Sequence, residues 1–325
     1  MSEFHIQVVR LGPIEKHANA DTLSITRVHG GYPCIIRTGD FQEGELAVYV
    51  PVDALVNTQR PEFASFAARA DKTGWMRVRA LRLRGVFSMG LLLRAEPGWV
   101  EGQDLRAALG VEKWEPPIPD DGDPDEAPDP GVLPAYDIEG LRRWPQLLTE
   151  GEEVVITEKI DGANARAVWH EGRLHIGTRN TFKRPDGNSP WARAARQYDL
   201  ATKLKDSPYA LYFELYGHVQ ALRYGLGNQM YRIAVFDALD TRDRRWLSAD
   251  PLQALLRELD LPMAPPLYRG PWHPELAALA EGDTTLPGAE HVREGIVIRP
   301  AVERWDDRIG RVQLKLHGEG YLTRK

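Results

Sequence analysis

The stretch Thr157-Glu158-Lys159-Ile160-Asp161-Gly162-Ala163-Asn164 stands between two apolar runs, Val154 to Ile156 and Ala165 to Trp169. The pattern predicts a strand, a sharp Asp-Gly turn and a second strand, with a lysine at the strand end and a glycine that tolerates positive φ in the turn. A lysine placed in this way is held at a cleft with its backbone fixed. Taken alone, the octapeptide reads better as an ordinary hairpin with a solvated lysine, because Asp-Gly between β-branched runs is common hairpin chemistry. The rest of the chain has to decide between the two.

Five further segments follow it. They are Thr178-Arg179 in IGTRN, YFELYG at Tyr212 to Gly217, AVFD at Ala234 to Asp237, EGIVI at Glu294 to Ile298, and VQLKL at Val312 to Leu316. With KIDGAN, which has the form KxDGxN, they resemble motifs I, Ia, III, IIIa, IV and V of the covalent nucleotidyltransferases, specifically the RNA ligase branch, and stand in that family's order. One departure is plain. Motif V reads KxK in the family; Lys315 matches its second lysine, but Gln313 occupies the first position.

Composition sets the frame. Apolar residues make up 42% of the 325 and charged residues 27%, the balance of an ordinary globular protein with room for two domains. No apolar run is long enough to cross a bilayer, and the N-terminus lacks the order of a signal peptide, so a cytoplasmic protein without membrane attachment is expected. Cys34 is the one cysteine, which excludes an intrachain disulfide and a cysteine-built zinc site. Between Pro33 and Ile35 it reads as a small core residue. The net charge of −6 is carried by the six acids of residues 120–130, and the remainder sums to zero. Arg69, Lys72, Arg77, Arg79, Arg82, Arg84 and Arg94 face only Asp71 over residues 69–94, a local basic surface of the kind that phosphate binding needs.

In chain order, residues 1–100 are short alternating runs separated by Gly, Pro, Asn and Asp turns, which predicts a small all-β barrel. Lys16 to Val28 and Leu83 to Leu92 resemble segments of the tRNA-binding type of OB-fold, with Ala18 where that family usually has proline. Nucleic-acid contact through Arg77, Arg79, Arg82 and Arg84 is what that fold implies by analogy. Residues 101–135, rich in proline and acids, read as an extended linker. Residues 136–325 form the second domain. A short helix is expected at Ile138 to Leu148, another after Ser189 as N-cap and Pro190 at the first helical position, and a third at Pro251 to Glu258 with Leu252, Leu255, Leu256 and Leu259 on its core face. The fold class expected is α+β: an OB-fold barrel, then a nucleotidyltransferase (ATP-grasp-like) domain of antiparallel sheets with flanking helices.

What the resemblance implies is an ATP-dependent RNA ligase that seals 3′-hydroxyl and 5′-phosphate ends through a lysyl-AMP intermediate on Lys159. Lys315 would stabilise the phosphorane, Asp161 and Glu294 would hold Mg²⁺ or Mn²⁺, and Glu214 would accept hydrogen bonds from the ribose. Phe236 and Val297 would sandwich adenine, and Arg179 and Asn164 would position ribose or 5′-phosphate. For the missing motif V charge, either another cation such as Lys183 or Arg184 compensates or the first step is weaker than usual; both residues also join the expected nucleic-acid contacts. Burial, Lys315 and the metal are expected to drive the Lys159 amine toward its neutral form. The arrangement resembles the Deinococcus-type clade, which implies a nicked substrate with RNA on the 3′-hydroxyl side; no protein partner is evident from the sequence. Ten residues follow Lys315, so the further OB domain of DNA ligases and capping enzymes is not expected. Those two enzyme classes, and an RNA-binding protein with a decayed nucleotide pocket, are the rival readings.

Overall fold

Runs of β-branched residues broken by glycine and proline become nine principal short strands in the N-terminal part of the chain. They are β1 (Gln7–Arg10), β2 (Leu23–Val28), β3 (Tyr32–Arg37), β4 (Leu46–Val50), β5 (Ala54–Asn57), β6 (Trp75–Arg77), β7 (Leu81–Leu83), β8 (Val86–Ser88) and β9 (Leu91–Arg94). All pair antiparallel, β1 and β9 on either side of β4, β2 with β3, β5 with β6 and β7 with β8. The computed structural model describes residues 4–115 and 126–324. These group into two compact units, one of residues 4–115, 140–145 and 322–324, the other of residues 126–139 and 146–321.

The all-β unit closes on Ile6, Val8, Val48, Val50, Val56, Phe63, Met76 and Val78. Leu105, Leu109 and Val111 are buried in the same core, so the expected linker does not begin at residue 101. Three apolar side chains spaced along a proline-poor segment are enough to anchor it. Residues 116–125, which include four of the linker prolines and four of its ten acids, lie outside the described residues.

The two segments noted for their OB resemblance come together. His17 Nε2 contacts the Leu83 carbonyl at 3.1 Å, and the Asn19 side-chain amide donates to the Arg84 carbonyl at 3.0 Å. His17 is buried and also accepts from the Asn19 backbone through Nδ1, so one turn pins the β7–β8 hairpin. Cys34 is buried with its thiol on the Met89 carbonyl, and burial pushes the thiol up to about 12, as suits a core residue.

Among the described residues, two large sheets and one two-stranded ribbon build the second unit. The principal strands are β10 (Glu153–Lys159), β11 (Ala163–His170), β12 (Arg173–Gly177), β13 (Phe182–Lys183), β14 (Tyr209–Gly217), β15 (Tyr231–Asp240), β16 (Pro266–Pro271), β17 (Gly295–Pro300) and β18 (Leu314–His317). One sheet runs β13-β12-β11-β14-β15, and the other has β16-β10-β17-β18 in that order, all antiparallel. Helix α1 (Pro190–Gln197) covers the first sheet, capped by Ser189, whose hydroxyl accepts from the Ala192 amide. Helix α2 (Ala249–Glu258) buries Leu252, Leu255 and Leu256. The helix expected at Ile138 to Leu148 is absent; the segment forms turns and a short 3-10 piece at Pro145–Leu147. Gly140 and Pro145 interrupt its apolar spacing, and neither favours a helix interior.

Candidate active site

The octapeptide is not a hairpin. β10 and β11 lie in different sheets, so the turn Ile160 to Gly162 crosses from one to the other with Lys159 at the last position of β10. Gly162 is not in the positive-φ region. Its reason is space: a Cβ there would stand 2.8 Å from Glu214 Cγ and closer still to the Leu215 carbonyl. The glycine lets the crossing chain touch the strand that carries Glu214. Ile160 is buried, and the Asp161 amide donates to the Tyr224 hydroxyl at 2.6 Å, which fixes the far side of the turn.

Strand pairing gathers the other segments. Lys159 pairs with Gly295 and Thr157 with Val297, while Val297 pairs in turn with Lys315. In the second sheet Asn164 pairs with Glu214 and Glu214 with Ala234. Between Val235 and Asp237 the register slips by one residue against β14, leaving Phe236 as the extra residue of a bulge. One cavity results, lined by Lys159, Asn164, Arg179, Glu214, Phe236, Val297, Gln313 and Lys315 among others. Arg179 reaches it from a tight turn that Thr178 closes by accepting from the Asn180 and Thr181 amides.

Electrostatics correct one expectation. Lys159 Nζ lies 2.8 Å from Glu294 Oε2, with Glu214 and Asp161 within Coulombic reach. Burial disfavours the ammonium, but those three carboxylates outweigh it and hold the amine above its ordinary range. The free chain therefore carries a charged lysine. Glu294 is desolvated too, yet Lys159 and then His317, 3.4 Å away, pull it down to about 2. Glu214 takes the opposite course: burial, with Glu294 and Asp161 adding to it, pushes it up to about 8 despite Lys159. At neutral pH it holds a proton and is a donor as well as an acceptor. Lys315 is drawn down by burial and remains 3.6 Å from Asp137. Asn164 Oδ1 is buried without a hydrogen-bond partner.

Several residues that sequence reasoning passed over belong here. His317 binds Glu294, Tyr224 and the Tyr321 hydroxyl hold Asp161 from either side, and Tyr136 and Asp137 line the cavity. Glu158 is locked by the Thr284 hydroxyl and by the Thr285 amide and hydroxyl. Only His317 had a local signal, its place two residues beyond Lys315 on the same strand face.

The nucleic-acid candidates divide. Arg79, Arg82 and Arg84 are exposed. Arg77 is not available in the same way: its guanidinium binds Asp53 at 2.7 Å and lies over the Trp114 ring. Lys183 and Arg184 are not among the cavity-lining residues, and Arg184 pairs with Asp186 at 2.9 Å, so neither replaces a motif V lysine there.

The RNA ligase family model matches residues 152–317, from the start of β10 to the end of β18. The chain belongs to the RNA ligase family. An OB-fold domain model matches residues 5–95, which names the all-β unit. Comparison with curated protein sequences gave no match. Among solved structures, an arginine-to-alanine variant of Naegleria gruberi RNA ligase with ATP and Mn superposes with a TM-score of 0.84 at 23% identity, over 98% of each chain. The same ligase with pyrophosphate gives 0.83 at 24% identity over 98% of each chain. A lysine-to-methionine variant with AMP and Mn gives 0.84 at 23% identity, again over 98% of each. The fold is thus that of an RNA ligase: an OB-fold unit and an α+β nucleotidyltransferase unit of antiparallel sheets.

Proposed function

We propose that the protein is an ATP-dependent RNA ligase that joins a 3′-hydroxyl to a 5′-phosphate through AMP carried on Lys159. The observation that supports this most directly is a buried lysine amine beside Glu294, Glu214 and Asp161, at a cavity that Lys159 and Glu214 line together with a second lysine and an aromatic side chain, while Asp161 and Glu294 stand behind its lining. The ATP, AMP and pyrophosphate complexes of the Naegleria ligase, which shares the fold, agree with it.

In the first step Lys159 Nζ forms a bond to the α-phosphorus of ATP, and the bond to pyrophosphate breaks. The amine must first lose the proton that Glu294, Glu214 and Asp161 favour. A triphosphate settling against Lys159, Lys315 and Arg179 brings charge that these cations stabilise as it gathers on the phosphorus. Phe236, turned out by its bulge, offers a face for adenine, with Val297 on the adjacent sheet. Glu214, protonated at neutral pH, can donate to one ribose oxygen while accepting from another. The buried, unpartnered Asn164 Oδ1 takes a donor from the nucleotide or its hydration.

A divalent metal fits the donor set. Asp161 and Glu294 flank Lys159 and are hard oxygen ligands of the kind Mg²⁺ and Mn²⁺ prefer. No group of three His, Cys, Asp or Glu suited to a metal occurs among the described residues, so water and phosphate would complete its coordination. The metal would supply positive charge against the developing phosphorane and weaken the hold of the carboxylates on the Lys159 proton. AMP then passes to a 5′-phosphate, forming a pyrophosphate link, and the 3′-hydroxyl displaces AMP to close the strand.

Incubation with labelled ATP and Mg²⁺ or Mn²⁺ tests the reading. A covalent adduct on the wild-type chain that is absent from Lys159→Ala is expected; no adduct on the wild type overturns it. Nicked duplexes with RNA or DNA on the 3′-hydroxyl side then test substrate choice, with sealing expected only for RNA on that side.

A further inference from the structure

Gln313 breaks the family pattern, and its surroundings say what it does instead. Gln313 stands one residue before β18 and Lys315 within it, and both line the cavity. They stand in different company. Lys315 lies 3.6 Å from Asp137 and feels the charges of Lys159 and Arg179. Gln313 is only 3% exposed, and its Oε1 sits 2.6 Å from the Tyr136 hydroxyl, which reaches Asp237 Oδ2 at 2.7 Å. The Tyr136 ring packs on Phe236 with centroids 4.9 Å apart, and on Tyr212 and Trp246. Position 313 therefore belongs to the aromatic wall of the cavity and position 315 to its cations.

Charge in that wall is already balanced. Asp237 is fully buried and bound by Arg311 and Arg299, and both arginines also bind Glu303. Two acids meet two bases. Burial first, and the Asp237 charge next, raise Tyr136 well above its ordinary range, so it stays a phenol with one proton to donate. A glutamine amide serves such a hydroxyl as acceptor or, after a half-turn, as donor. A lysine offers donors only and adds a buried charge with no acid left to match it.

We propose that Gln313 and Tyr136 form a positioning pair that sets Phe236 for the nucleotide base, removing the first motif V position from phosphate chemistry and leaving Lys315 as the one motif V cation. The proposal rests on the adenylyltransferase reading above. It treats Gln313 as a gain for base placement, where the alternative treats it as a lysine lost.

The test measures kcat and KM for ATP in lysyl-AMP formation by the full chain, with thermal midpoints, for wild type, Y136F, Q313L, the Y136F/Q313L double variant and Q313K. Each single removal is expected to raise KM for ATP about fivefold, the loss that goes with one buried hydrogen bond, with kcat within about twofold. The double variant is expected to be no worse than the poorer single one, because the two side chains act as a unit. Q313K is expected to lower kcat/KM. A wild-type adduct together with unchanged KM in Y136F, additive losses, or faster adenylylation by Q313K overturns the pair alone. Absence of any wild-type adduct overturns the pair and the adenylyltransferase reading together. Y136F keeps the ring, so it decides the matter if Q313L does not fold.

Discussion

Lys159 is held in the wrong protonation state for the task proposed for it. A buried ammonium paired to Glu294 stabilises the free fold, while attack on phosphorus needs the neutral amine. The adenylylation rate is therefore expected to rise with pH through the alkaline range. In E294Q, with its strongest partner neutral, the inflection should move to lower pH even as the plateau falls; a pH-rate profile of adduct formation checks this. Glu214 makes a separate prediction. Its carboxyl is raised to about 8, against an ordinary glutamate at about 4.3. Between those values the folded chain keeps a proton that the unfolded chain has released, so stability falls as pH rises. E214Q should melt close to wild type near pH 4 and above it by pH 8, while losing nucleotide binding. Glu294 has the opposite sign: its depressed value contributes stability above the unfolded value that is lost as pH falls toward 2. Melting curves across pH, read against E294Q, separate the two.

At the scale of elements, the turn from β10 to β11 is where two sheets become one site. Gly162→Ala would drive a methyl group into Glu214 Cγ and the Leu215 carbonyl, backbone that cannot give way. The expected cost is about 1–3 kcal/mol of stability, with loss of most adduct formation, since relief would have to part Glu214 from Lys159. Chemical unfolding and the labelled-ATP assay measure both. The composition of this turn was legible in the sequence, but its geometry was not. Asp-Gly between apolar runs is satisfied equally by a hairpin or by a crossing, and only the remote partners of the two strands, β17 for β10 and β14 for β11, decide between them. The bulge at Phe236 was hidden for a similar reason, because register is a property of two strands. Ser189 and Pro190 at the start of α1 were readable because a helix cap depends on its own first turn. In the OB-fold unit, His17→Ala should cost about 1–2 kcal/mol through loss of its tie to the Leu83 carbonyl, checked by denaturant unfolding.

For the whole molecule, the two units carry different features, one the cavity proposed for the nucleotide and the other the exposed Arg79, Arg82 and Arg84. Replacing Arg79, Arg82 and Arg84 by alanine should leave adduct formation on Lys159 intact while weakening the sealing of nicks and flattening its dependence on salt, as expected when phosphate contacts are removed. Arg77→Ala belongs to another class, since its guanidinium is engaged by Asp53 and Trp114; it should lower stability more than it alters that salt dependence. The order of motifs from Lys159 to Lys315, the all-β and α+β halves and the start of α1 were determined by the sequence by itself, because each rests on residue type and local spacing. The tertiary structure alone decided the charge on Lys159, the proton on Glu214, the company of Gln313 and the engagement of Arg77. Those depend on burial and on side chains brought from remote parts of the chain, where a carboxylate a few ångströms away outweighs what any residue prefers in water.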